Sequence, residues 1–143
     1  MNQAIALAKE AAEEGEVPVG AVVVFDGKIV GKGRNRREIS KNALAHAEIE
    51  AINEACRALG GWRLWQCDIY VTLEPCPMCT GAIINSRIKR LVYGASDYKA
   101  GSCGSVVDLF SLPYNHKPEV VSGVMQEECA ALLTDFFKKL RKK

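Results

Sequence analysis

Two short clusters set the terms on which this chain can fold: Pro75-Cys76-Pro77-Met78-Cys79, and His46-Ala47-Glu48 about thirty residues before it. Two cysteines three residues apart at the start of a helix point the same way, and one histidine completes a three-donor set for zinc. The fourth position is then left for water. A structural zinc site is normally closed by four protein donors, whereas three donors with a carboxylate beside them make a hydrolytic arrangement. His46 and Glu48, two apart, would diverge inside a helix and can serve one site only if that helix directs its N-terminus at it. The partial positive charge there also favours thiolates at Cys76 and Cys79. The fold must therefore bring two helix starts together.

The rest of the chain supplies a frame. Asn2 to Glu14 reads as an amphipathic helix stopped at Gly15. The apolar run Val19 to Phe25, the turn Asp26-Gly27 and the segment Lys28 to Gly33 predict a β-hairpin with one central strand. A polar loop continues through Glu38 to Asn42, and Ala45 to Leu59 has helix composition ending at Gly60-Gly61. Further strands are expected at Asp68 to Leu73, Arg90 to Gly94 and Glu119 to Val121. Helices are expected at Pro77 to Ser86 and Gln126 to Leu140, with a short helical piece near Val106 to Leu112. Proline suits the first helical position, where its missing N–H is not needed. This order predicts an α/β fold of three layers, α/β/α, in which a mixed sheet of about five strands carries helices on both faces. No repeat or linker divides residues 1–143, so one domain is expected, with its site at the strand ends.

Composition narrows the class. With 48% apolar and 25% charged residues the chain is globular, and neither a signal-peptide run nor a membrane span is legible, so a cytoplasmic setting is expected. Only Cys76 and Cys79 among six cysteines are closely spaced, which favours reduced thiols over a disulfide framework. Cys56, Cys67 and Cys129 read as buried small hydrophobes, with Cys103 less defined. Trp62 and Trp65 read as buried anchors, although either could face a ligand. The last ten residues set Lys138, Lys139, Arg141, Lys142 and Lys143 against Asp135, a local +4 that leaves −2 for the remainder. Such a tail is either a phosphate contact or a solvated helix end complementing its dipole.

Alone, Cys-x-x-Cys has redox pairs and zinc knuckles as alternatives, and His-x-Glu is uninformative. Together and in this order, each opening a helix, they match the established signature of zinc nucleobase deaminases. Within that superfamily, of cytidine-deaminase-like fold, the chain resembles the bacterial tRNA-specific adenosine deaminases. The segments that carry the likeness are Glu16 to Ala21, Ala45 to Glu48, Trp62-Arg63-Leu64, Tyr70 to Cys76, Ser86-Arg87-Ile88 and Phe136 to Arg141. They span essentially the whole length.

The resemblance implies hydrolytic deamination of the wobble adenosine of a tRNA anticodon to inosine, with arginine tRNA as the expected substrate. His46, Cys76 and Cys79 would hold one zinc per chain, and zinc-bound hydroxide would attack carbon 6 with Glu48 as proton shuttle. It also implies nucleoside or RNA contacts by Asn35, Asp97, Lys99, Asn115, Phe137 and Arg141, and a homodimer. Read as bare residues, Asn35 could equally stabilise a turn and Asp97 and Lys99 could be loop polars. Of Phe136 and Phe137, one should be core and the other, Phe137, exposed near a base. The chain departs from the family at Leu44, where a Ser or Thr cap is usual, and at Arg34, whose extra charge is expected to add a phosphate contact. A deaminase of a free base or nucleoside and a noncatalytic zinc-stabilised RNA-binding module are the alternatives.

Overall fold

The structure is a computed structural model that describes residues 1–142; Lys143 of the basic tail lies outside the described residues. Helix α1 (Asn2–Glu13) ends ahead of Gly15, which takes φ 81°. Strands β1 (Gly20–Phe25) and β2 (Lys28–Arg34) form the expected hairpin. Asp26 and Gly27 both take positive φ, 51° and 74°, as a tight twisted turn requires. Helix α3 (Ala47–Leu59) ends at Gly60 in the left-handed conformation. Strand β3 (Cys67–Leu73), helix α4 (Pro77–Asn85), strand β4 (Arg90–Ala95), strand β5 (Glu119–Val121) and helix α5 (Gln126–Arg141) follow.

Two stretches differ from the sequence expectation. The polar loop after β2 contains a one-turn helix, α2 (Arg37–Ser40), because the buried Glu16 carboxylate accepts the Glu38 and Ile39 amides at 3.1 and 2.7 Å and so caps its first turn. The helical piece over Val106 to Leu112 contracts to a 3-10 turn at Leu109–Ser111. Asp108 caps it, accepting from the Phe110 amide at 3.0 Å, while the Phe110 ring is buried.

The strand order is β2-β1-β3-β4-β5. β1 runs antiparallel to both neighbours, and β3, β4 and β5 are parallel, giving the mixed five-stranded sheet. Helices α3 and α4 cover one face over Ala21, Val23, Ile69, Val71 and Leu91, and α1 and α5 pack on the other around Ile5, Ala95 and Cys129. Gly31 and Gly33 let α3 lie directly on β2, since a methyl group at either would run into the α3 backbone at Ala51 or Ala47. That close seat fixes where α3 begins.

Four expectations of packing are corrected or refined. Trp62 and Trp65 are exposed, at 51% and 66%, because Leu64 between them takes the core position at 1%. Trp62 is stacked instead by the guanidinium of Arg63, 4.4 Å from the ring centre. Cys67 and Cys129 are buried as expected, whereas Cys56 is only partly so. Arg34 turns to Glu14, just past α1, and to Glu10 within it, at 2.6 and 3.4 Å, so its charge is paired within the chain.

Candidate metal centre

The two helix starts converge at the C-terminal ends of β3 and β4. His46 is the residue immediately before α3, in extended conformation, and Glu48 is the second residue inside it. Cys76 stands in the same place before α4, Pro77 opens that helix, and Cys79 is its third residue. Neither helix has a side-chain cap bond at its start, so the usual Ser or Thr is dispensed with here. Leu44 is exposed, and its amide donates to the Asn42 side chain in a turn at 2.9 Å. The residues that would cap these helices are the donor residues themselves.

His46 Nδ1 lies 3.6 Å from Cys76 Sγ and 3.5 Å from Cys79 Sγ, and the three donor atoms all fall within 4.8 Å of one another. A tetrahedral zinc with bonds of about 2.3 Å to sulfur and about 2.0–2.1 Å to nitrogen would separate sulfur and nitrogen by about 3.6 Å. The set therefore fits zinc. Among the described residues no fourth His, Cys, Asp or Glu joins it; His116 is elsewhere, its Nε2 2.7 Å from the Ile88 carbonyl.

The electrostatics suit a metal donor set. A hydrogen bond from Cys79, opposed by burial and helped by His46, pulls the Cys76 thiol down to about 4. The same bond, with burial, pushes Cys79 up. The His46 imidazole is raised, chiefly by its bond to Cys76. Glu48, 4% exposed, has its carboxyl pushed up to about 7 by burial, although His46 draws it down. It can therefore hold or release a proton near neutrality.

His46, Cys76 and Glu48 line a cavity of about 210 Å³ whose walls include Asn35, Arg37, Glu74 and Asp97, with Cys79 buried behind them. Asn35 is 7% exposed, with its backbone N–H donating to the Val19 carbonyl. Val17, Leu73 and Asp97 also wall an outer depression that continues to Tyr98, Lys99 and Phe137. Phe137 is 41% exposed, as expected, and meets the partly buried Phe136 edge-on at 5.4 Å. Arg141 is exposed in the last turn of α5. Asn115 does not line the cavity: it is exposed beside His116, on the loop that approaches the start of β4.

Two glutamates overlooked in the sequence build the walls. Glu74 is 2% exposed and accepts from the amides of Asp97, Cys103 and Ser105 at 3.1, 3.0 and 3.1 Å and from the Ser105 hydroxyl. Burial opposes its ionisation, yet these bonds hold its carboxyl below the usual value. It thereby folds the loop from Asp97 to Ser105 over the cavity. Gly101 is required at the contact, since any side chain there would strike Glu74. Glu16 does the same for the α2 turn that carries Arg37. The available signal was an acid set in an apolar run, Leu73-Glu74-Pro75 and Glu16-Val17-Pro18.

A three-layer α/β/α frame with this set at the strand ends defines the cytidine-deaminase-like class. The MafB19-like deaminase family matches residues 1–141. The chain is 51% identical to the tRNA-specific adenosine deaminase of Bacillus subtilis (strain 168), over all of this chain and 89% of that one. It is 49% identical to the enzyme of the same name from Haemophilus influenzae, over 99% of this chain and 83% of that one. A structure from studies of A-to-I editing by tRNA:A34 deaminases superposes with a TM-score of 0.90 at 48% identity, covering 93% of this chain and 97% of that one. The chain belongs to the MafB19-like deaminases, among the tRNA-specific adenosine deaminases.

Proposed function

We propose that this chain converts the wobble adenosine of a tRNA anticodon, A34, to inosine by hydrolytic deamination, with arginine tRNA as substrate. The observation that carries the reading is the open three-donor set with buried Glu48 beside it on one cavity, in a chain whose full-length relatives are named for this activity. A zinc ion held by His46, Cys76 and Cys79 would supply water of lowered pKa. Glu48 would carry one proton of the water to ring nitrogen 1 of adenine as the water oxygen bonds to carbon 6, and the second proton to the amine nitrogen as its bond to carbon 6 breaks, so that ammonia leaves and a carbonyl remains. Asn35 orients the nucleoside inside the cavity. Asp97 and Lys99 hold the flanking anticodon nucleotides at its mouth, where Phe137 offers a ring for a flipped neighbour. Arg141 and the tail cations meet phosphates. The set of three protein donors argues against a purely structural zinc, which is normally closed by four.

Sequencing of arginine tRNA treated with protein carrying one zinc per chain tests this, because inosine reads as guanosine. Unchanged A34 alongside turnover of free guanine, cytidine or adenosine would overturn it in favour of a small-molecule deaminase. The homodimer is part of the same proposal, and sedimentation at assay concentration measures it.

A further inference from the structure

We propose that the basic concavity at the opposite end of the sheet from the donor set is a second RNA surface, which holds phosphates of the anticodon stem. The inference rests on the tRNA reading above and extends it from loop to stem. Arg63 and Trp65 precede β3, Arg87 and Lys89 precede β4, and Lys117 precedes β5, and together they line a hollow of about 530 Å³. The donor set lies past the other ends of these strands. The seven residues of β3 at about 3.3 Å each put roughly 20 Å between the two, beyond the reach of a single flipped nucleotide and its neighbours.

The charge is unspent. Arg63, Arg87, Lys89 and Lys117 have no ion pair among the described residues. The one acid in the lining, Glu119, is held by Arg90 at 3.0 Å. Four free cations in one hollow stand out on a chain that is −2 outside its tail. Its two arginines are also held in place before anything binds. Arg87 Nη1 donates to the carbonyls of Ile84 and Asn85 at 2.8 and 3.2 Å, and its guanidinium and that of Arg63 stack on exposed Trp62 at 5.7 and 4.4 Å. Cations set side by side around a hollow suit the phosphates of an RNA duplex, which proteins meet by shape and backbone contacts. Self-association of this patch about its own two-fold would set like charges together. Phosphate contacts position without reading sequence, so this surface would favour a duplex stem of any sequence. It also gives Asn115, next to His116 in the lining, a place at the stem rather than in the cavity.

The test is charge reversal at the exposed lysines Lys89 and Lys117 in the full zinc-loaded chain, written K89E/K117E, with K9E/K32E as a control of equal charge change. On whole arginine tRNA the first pair should raise KM about tenfold at low salt while kcat holds, and lessen the log–log salt slope of binding by about two. The control should change neither, and the difference should vanish on an anticodon hairpin cut to a two-base-pair stem. Wild-type KM and salt slope in K89E/K117E overturn the proposal. A shift in sedimenting mass with an unchanged salt slope assigns the surface to a second copy of the chain instead. If wild-type protein leaves tRNA unedited, the functional reading fails separately. Stem binding by E48A, with and without the lysine reversals, still decides the surface.

Discussion

Glu48 and Glu74 are both buried carboxyls, yet their surroundings drive them in opposite directions. Glu48 is pushed up to about 7 by burial, with few donors to stabilise its charge. Glu74 is held low because three amides and a hydroxyl donate to it. Glu48→Ala should lower turnover by about 10²–10⁴ while a filter-binding assay still detects the stem-loop; retained turnover would remove it as the proton carrier. Glu74→Gln replaces an acceptor by an amide that opposes the loop N–H groups, and should cost about 2–3 kcal/mol at pH 7. The depressed folded-state value makes the Glu74 contribution complete above the unfolded carboxyl pKa of about 4.3 and lost as pH falls through the folded one. Urea midpoints of wild type and variant should therefore converge below about pH 4, and a gap independent of pH would refute the ionic origin.

At the scale of elements, α3 and α4 present their first residues to the site because their seats are set elsewhere. Gly33 allows α3 to rest on β2. Gly33→Val should push the helix off, destabilise the fold by about 1–3 kcal/mol, and weaken zinc retention measured by atomic absorption after dialysis. Normal metal content would show that α3 is held by other contacts. Helix α5 contributes differently, by laying Phe137 along the outer depression. Phe137→Ala should raise KM for stem-loop RNA and leave unfolding free energy within about 0.5 kcal/mol, since the ring is half exposed. A large loss of stability with unchanged KM would return Phe137 to a packing role.

For the whole molecule, zinc would tie together α3, α4 and the sheet between them. Chelation should lower the melting temperature of zinc-loaded protein, and added zinc should restore it in a concentration-dependent way, because binding to the folded state is folding free energy. Two concentrations of cations lie apart on the molecule, the tail on α5 and the hollow at the strand starts. No helix among the described residues is long and apolar enough to cross a membrane.

The sequence by itself determined what is written in local spacing. Asp26-Gly27 can close only a tight hairpin, Pro77 begins a helix, and His46, Glu48, Cys76 and Cys79 name a three-donor site with a carboxyl beside it. Tertiary structure decided whatever depends on a partner distant in sequence. Arg34 was spent on Glu14, twenty residues before it; α2 formed because Glu16 caps it; and Trp62 went to the surface because Leu64 claimed the core. Likewise Glu74 became the anchor of a loop that begins twenty-three residues later at Asp97. A side chain's type fixes what bonds it can make, but only the packed sheet and helices bring the other half of each bond within reach.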